Sequence, residues 1–141
     1  MSHSTSRDLF QDPAIRDAFL RLSEAAWRAR ENAYILGKTK VGCALMTATG
    51  EVFAGCNVEH RFRSHDIHAE VNAIGSMAAA GARSIVYLLI VAERERFTPC
   101  GACMDWIMQF AAEECLVGFQ PSPGAEPTMY STHQLMPYYP Q

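Results

Sequence analysis

The sequence predicts an α/β layered domain built on a mixed sheet of about four or five strands. Three observations predict it. "SIVYLLIVA" (84–92) is a continuous apolar run, the pattern of a strand buried on both faces. It lies between two segments with helical periodicity, and a strand–turn–strand pattern precedes them. Helices alternating with buried strands form layers around a sheet rather than a bundle.

Each element has its own justification. In "DPAIRDAFLRLSEAAWRARENAY" Asp12 is an N-cap and Pro13 occupies the first helical position. Ile15, Phe19, Leu22 and Ala26 then share one face. In "KVGCALMTATGEVFAGCNV" Val41, Cys43 and Leu45 alternate with Gly42, Ala44 and Met46, and "TATG" turns the chain into a second strand, 51–57. "VEHRFRSHD" reads as a solvated loop. A second helix follows, with Ile67, Val71, Ile74 and Ala78 on its apolar face and Gly81 as its stop. After the buried strand, "ERERF" is a charged turn. "TPCGACMDWIMQFAAEE" is a third helix, with Trp106, Ile107 and Phe110 inward. "CLVGF" is a further strand and "TMYS" a last edge strand. The second and third helices should lie on one face of the sheet and start at neighbouring strand ends.

The chain reads as one domain, 1–141. Its net charge of -3 gives no general attraction to phosphate backbones or anionic membranes, so neither a nucleic acid nor a membrane partner is expected. No apolar run reaches the length of a bilayer span, and the start "MSHSTSRDLF" lacks an apolar signal core, so the expected location is the cytoplasm. The cysteine count of five is odd, which argues against a disulfide framework and leaves reduced thiols for metal binding or chemistry.

Only Cys100 and Cys103 have suggestive spacing. Three apart at a helix start, they point the same way, and the free N–H groups and positive dipole there favour thiolate. His68 opens the other helix and can complete a three-ligand site. Two thiolates and a neutral imidazole suit zinc, one ion per subunit, with the fourth corner left for water. Glu70, two residues after His68, is then placed to take a proton without binding metal. Singly, each feature has a bland reading: a redox pair or buried cysteines, a capping histidine, a glutamate complementing a helix dipole. Jointly, H-x-E followed by P-C-x-x-C is the signature of zinc-dependent nucleobase deaminases.

From about Ala33 to Tyr139 the chain resembles the cytidine deaminase family. "KVGCAL" and "GEVFAGCNVE" resemble that family's first two strands, "HAE" and "PCGAC" its metal-binding segments, and "QLMPYY" its C-terminal tail. The resemblance implies a three-layer α-β-α sandwich, a homodimer or homotetramer, and hydrolysis of cytidine or deoxycytidine to the uracil nucleoside plus ammonia. It also implies that Asn57 and Glu59 bind a ribose hydroxyl, and that Ala69 and Cys100 present backbone groups to the base. Tyr138 and Tyr139 match tail aromatics that line a neighbouring site in tetrameric relatives.

Several positions depart from the family pattern. His68 stands for the common cysteine and Val71 for the arginine thought to offset that thiolate, a joint change that makes electrostatic sense. Thr39 replaces an aromatic, His60 an asparagine, and Met104-Asp105 an Arg-Gln pair. A histidine after Asn-Val-Glu is also similar to blasticidin-S deaminases, so a specialised nucleoside deaminase is the alternative substrate reading; Arg61, Phe62 and Arg63 in the same loop read first as solvated and second as a contact to an anionic or larger substrate. A zinc-stabilised domain without turnover is the alternative from another class.

Overall fold

A computed structural model describes residues 5–140. The helices are α1 (Ser6–Gln11), α2 (Pro13–Arg30), α3 (Ala69–Ala79), α4 (Gly101–Phe110) and α5 (Thr132–Leu135). The strands are β1 (Gly42–Thr47), β2 (Val52–Cys56), β3 (Ile85–Val91), β4 (Ala111–Gln120) and β5 (Thr128–Ser131). All five strands form one sheet in the order β2-β1-β3-β4-β5. The β3–β4 pair is parallel and the other three are antiparallel, so the sheet is mixed as expected.

Side-chain alternation splits the core into two layers. Cys43, Leu45, Leu88 and Ile90 face α3 and α4, while Ala44, Met46, Leu89 and Val91 face α2. The result is the α-β-α sandwich, with α3 and α4 sharing one face. Among the described residues no helix is long and apolar enough to cross a membrane.

The expected caps form. Asp12 Oδ1 accepts from the backbone N–H groups of Ala14 and Ile15 at the start of α2. Gly81, at φ +92°, ends α3. Its N–H donates to the Ala78 carbonyl while that of Ala82 reaches back to Met77, closing a Schellman turn that a side chain at φ > 0 would strain.

Four expectations need correction. The first long helix stops at Arg30 rather than running on to Tyr34, which instead pairs with Val58 in a short parallel bridge. The inward face of α3 is Ala69, Glu70, Ala73, Ile74 and Met77, whereas Ile67 lies before the helix and is exposed. Val71 and Ala78 are only half-buried. The stripe is rotated because a carboxylate, Glu70, occupies an interior position that apolar periodicity cannot mark. On α4, Trp106 is exposed, because Cys103, Met104 and Ile107 set the buried stripe. Finally, "AAEE" is not helical. Ala111 takes extended angles and pairs with Ile85, and the register then jumps to Tyr87 opposite Leu116. Strand pairing overrides the helix preference of Ala and Glu. The short helix α1, absent from the sequence reading, is closed by a reciprocal capping box between Thr5 and Asp8.

Candidate active site

His68 is the N-cap residue of α3 and Cys100 that of α4. Both have the extended backbone of a cap, yet neither side chain makes a capping hydrogen bond. Freed from that duty, they meet. His68 Nδ1 lies 3.2 Å from Cys103 Sγ and 3.5 Å from Cys100 Sγ. All three donor atoms fall within 4.8 Å of one another. Tetrahedral zinc with ordinary Zn–N and Zn–S bonds places nitrogen and sulfur about 3.6 Å apart. The donor set and its spacing therefore fit zinc. Two helix N-termini aim their positive ends at the thiolates.

Cys103 is fully buried. Burial and the neighbouring Glu70 carboxylate hold its thiol well above the ordinary range. This opposes the lowering expected from the helix N-terminus alone, and burial wins.

Glu70 is 2% exposed. Burial raises its carboxyl above the ordinary value, partly offset by its own backbone N–H, the Cys103 thiol and the His68 ring. It borders a cavity of about 280 Å³ whose wall also contains His68, Ala69 and Cys100. Ala69, at the first helical position, is fully buried between the two functional side chains.

Asn57 and Glu59 border the same cavity, just beyond the end of β2. Their side chains carry structural duties. Asn57 Oδ1 accepts from the Val41 N–H at 2.9 Å, and its Nδ2 donates to the Thr39 carbonyl at 2.9 Å. Thr39 therefore contributes its backbone carbonyl to this wall. Glu59 Oε1 accepts from the N–H groups of Leu36 and Gly37 at 2.7 and 2.8 Å. Its Oε2 pairs with Arg63 at 2.8 Å. Those amides first, and Arg63 after them, hold the Glu59 carboxyl below its ordinary value.

The cavity is also lined by Arg63, which the sequence offered only as a secondary candidate for a substrate contact, and by Asp66, Arg94, Phe97 and Thr98, which it left outside the site. The first two come from the loop read as solvated, and the others from the turn directly before "PCGAC". Their adjacency in sequence to the metal-binding motifs was the available signal. Of the departures from the family pattern, His60 uses Nδ1 to accept the Phe62 N–H and stacks on His65. Met104 is buried in the core beneath α4, and the Asp105 carboxylate near Tyr139 raises the tyrosine hydroxyl above its ordinary value.

A mixed sheet flanked by helices, with imidazole and paired thiols converging from two helix N-termini beside a buried carboxylate, defines a zinc-binding α-β-α protein. The chain belongs to the cytidine and deoxycytidylate deaminase zinc-binding family, whose zinc-binding region it matches over residues 17–119. That region contains His68, Cys100 and Cys103, the ligand group for the family's zinc. A cytidine deaminase from Sporosarcina psychrophila is 39% identical over 85 residues, 59% of this chain and 62% of that protein. One from Halalkalibacterium halodurans is 35% identical over 67% of this chain and 70% of its own. The match to the first of these thus spans less than two thirds of its length. The crystal structure of cytidine deaminase from Burkholderia pseudomallei superposes with a TM-score of 0.75 at 34% identity, covering 84% of this chain and 95% of that one. The Mycobacterium leprae enzyme gives 0.74 at 26% identity, covering 84% and 97%.

Proposed function

We propose that the protein hydrolyses the 4-amino group of cytidine or deoxycytidine, releasing the uracil nucleoside and ammonia. The observation that carries this reading is a buried Glu70 carboxylate beside the His68–Cys100–Cys103 group, at the wall of a cavity of nucleoside size. His68 Nδ1 and the Cys100 and Cys103 sulfurs hold the metal. Zinc held there would supply Lewis acidity and lower the pKa of a water toward neutrality. Glu70 accepts one proton from the attacking water and passes it to the ring nitrogen; it then takes the proton of the newly added hydroxyl and gives it to the amino group, which leaves as ammonia while the ring carbon becomes a carbonyl. Ala69 keeps this wall small, so the ring can lie over the carboxylate. Asn57 and Glu59 contact the sugar, each with the hydrogen-bonding capacity left over from its structural role.

We also infer one domain spanning 1–141, a cytoplasmic location and a homodimer or homotetramer. All five cysteines are free, as a reducing compartment requires. Tyr34, Leu36, Phe62 and Ile67 leave exposed apolar surface, and Tyr138 is 94% exposed on the tail, which suits association.

Turnover on a panel of cytidine, deoxycytidine, cytosine, blasticidin S, adenosine and guanine tests the reading. It predicts preference for cytidine or deoxycytidine. Preference for a purine contradicts it, and preference for blasticidin S transfers the chemistry to a bulkier nucleoside.

A further inference from the structure

Two loops, the one between α2 and β1 and the one between β2 and α3, meet at the rim of the cavity through Glu59 and the arginine that holds it. Arg63 Nη2 pairs with Glu59 Oε2 at 2.8 Å, and its Nε pairs with Asp66 Oδ2 at 2.8 Å. Asp66 Oδ1 in turn accepts the His60 N–H at 2.7 Å, and Glu59 Oε1 accepts the N–H groups of Leu36 and Gly37. The carboxylates are largely covered, with side-chain exposures of 12% for Glu59 and 15% for Asp66, while Arg63 remains 55% exposed.

The hydrogen-bond capacities decide what is left for a ligand. Two amide donors fill the lone pairs of Glu59 Oε1, and Arg63 fills one on Oε2. One acceptor position remains on Oε2. Of the five N–H donors of Arg63, one goes to each carboxylate, so the guanidinium keeps free donors beside that same oxygen. A sugar hydroxyl is both donor and acceptor. Its O–H fits the remaining position on Glu59, and its oxygen fits an adjacent Arg63 N–H.

We propose that Arg63 is a specificity-determining residue: locked between Glu59 and Asp66 at the cavity rim, it presents with Glu59 a matched donor–acceptor pair for one sugar hydroxyl. The inference rests on the nucleoside reading of the site. The fork of the guanidinium is what allows one side chain to hold two carboxylates and still face the ligand, which an ammonium does less well.

The test compares cytidine with 2′,3′-dideoxycytidine on zinc-loaded wild type, Arg63→Ala and Arg63→Lys, with zinc content and Tm measured for each. Arg63→Ala is expected to lower kcat/KM for cytidine by about ten- to a hundredfold, mostly through KM, and to leave the dideoxy analogue nearly unchanged. The preference for the hydroxylated sugar therefore collapses. Arg63→Lys is expected to recover part of it. Equal losses on both substrates, or an unchanged ratio, overturn the role of Arg63 even if the variants are well folded. Should Arg63→Ala fold poorly, Arg63→Lys alone decides, since an undiminished preference in that variant overturns the role. Wild type that deaminates neither nucleoside overturns the deaminase reading itself, and the role of Arg63 with it.

Discussion

His68 Nδ1 and Cys103 Sγ lie 3.2 Å apart although 35 residues of sequence separate them. The contact joins the first turns of α3 and α4, the two helices that share one face of the sheet. The pairing commits both residues to a common ligand.

Replacing Cys103 with Ala therefore removes a ligand from the interior of the site. Zinc content is expected to fall from about one ion per chain to near zero, and Tm by roughly ten degrees. Elemental analysis and calorimetry check both, and a chelator should reproduce the Tm loss in the wild type.

Glu70→Gln separates holding from chemistry. Glutamine keeps the size of the side chain and removes the proton acceptor. Zinc is expected to be retained while kcat falls by about 10²- to 10⁴-fold. Loss of zinc in this variant would instead make Glu70 part of the metal site.

The core supports the site through close backbone packing of α3 on β2. A Cβ at Gly55 would sit 2.5 Å from Ala73 N and 2.8 Å from the Asn72 carbonyl carbon. Asn72 Oδ1 also accepts the Cys56 N–H, fixing the helix against the strand. Gly55→Ala must push α3 outward, with an expected loss of about 1–3 kcal/mol by urea unfolding. Because His68 and Glu70 start that helix, zinc affinity should weaken as well.

Much of this arrangement was legible in the sequence because it depends on local chemistry. Asp12-Pro13 and Gly81 mark helix ends by what a cap or a positive φ demands. The metal group was legible because few residue types bind zinc, and their spacing at helix starts is restrictive. The inward rotation of α3 was not, since Glu70 breaks the apolar stripe where the site needs it. Nor was the extended course of Ala111–Glu114, which starts from the pairing of Ala111 with Ile85 and runs through a register break before Leu116 pairs with Tyr87. Arg63 was legible only as a second reading for a similar reason: an arginine in a polar loop looks solvated until Glu59 and Asp66 are brought to it.

The rim also has a definite pH dependence. Backbone N–H groups and Arg63 hold the Glu59 carboxyl below its ordinary value of 4.5. The folded state therefore binds the Glu59 proton less readily than the unfolded chain. The contribution of this group is complete above pH 4.5 and is lost as pH falls through the lowered folded value. In urea titrations, the stability gap between wild type and Glu59→Gln should be constant at neutral pH and shrink in acid below that range. A gap that widens in acid contradicts the assignment.

The measurement that bears most directly on the central claim is ammonia release from cytidine by protein of known zinc content. Zinc-loaded wild type is predicted to release ammonia and uridine in equal amounts, to lose that activity on chelation, and to regain it when zinc is restored. Protein that holds zinc in full at His68, Cys100 and Cys103 yet releases no ammonia from cytidine or deoxycytidine contradicts the account.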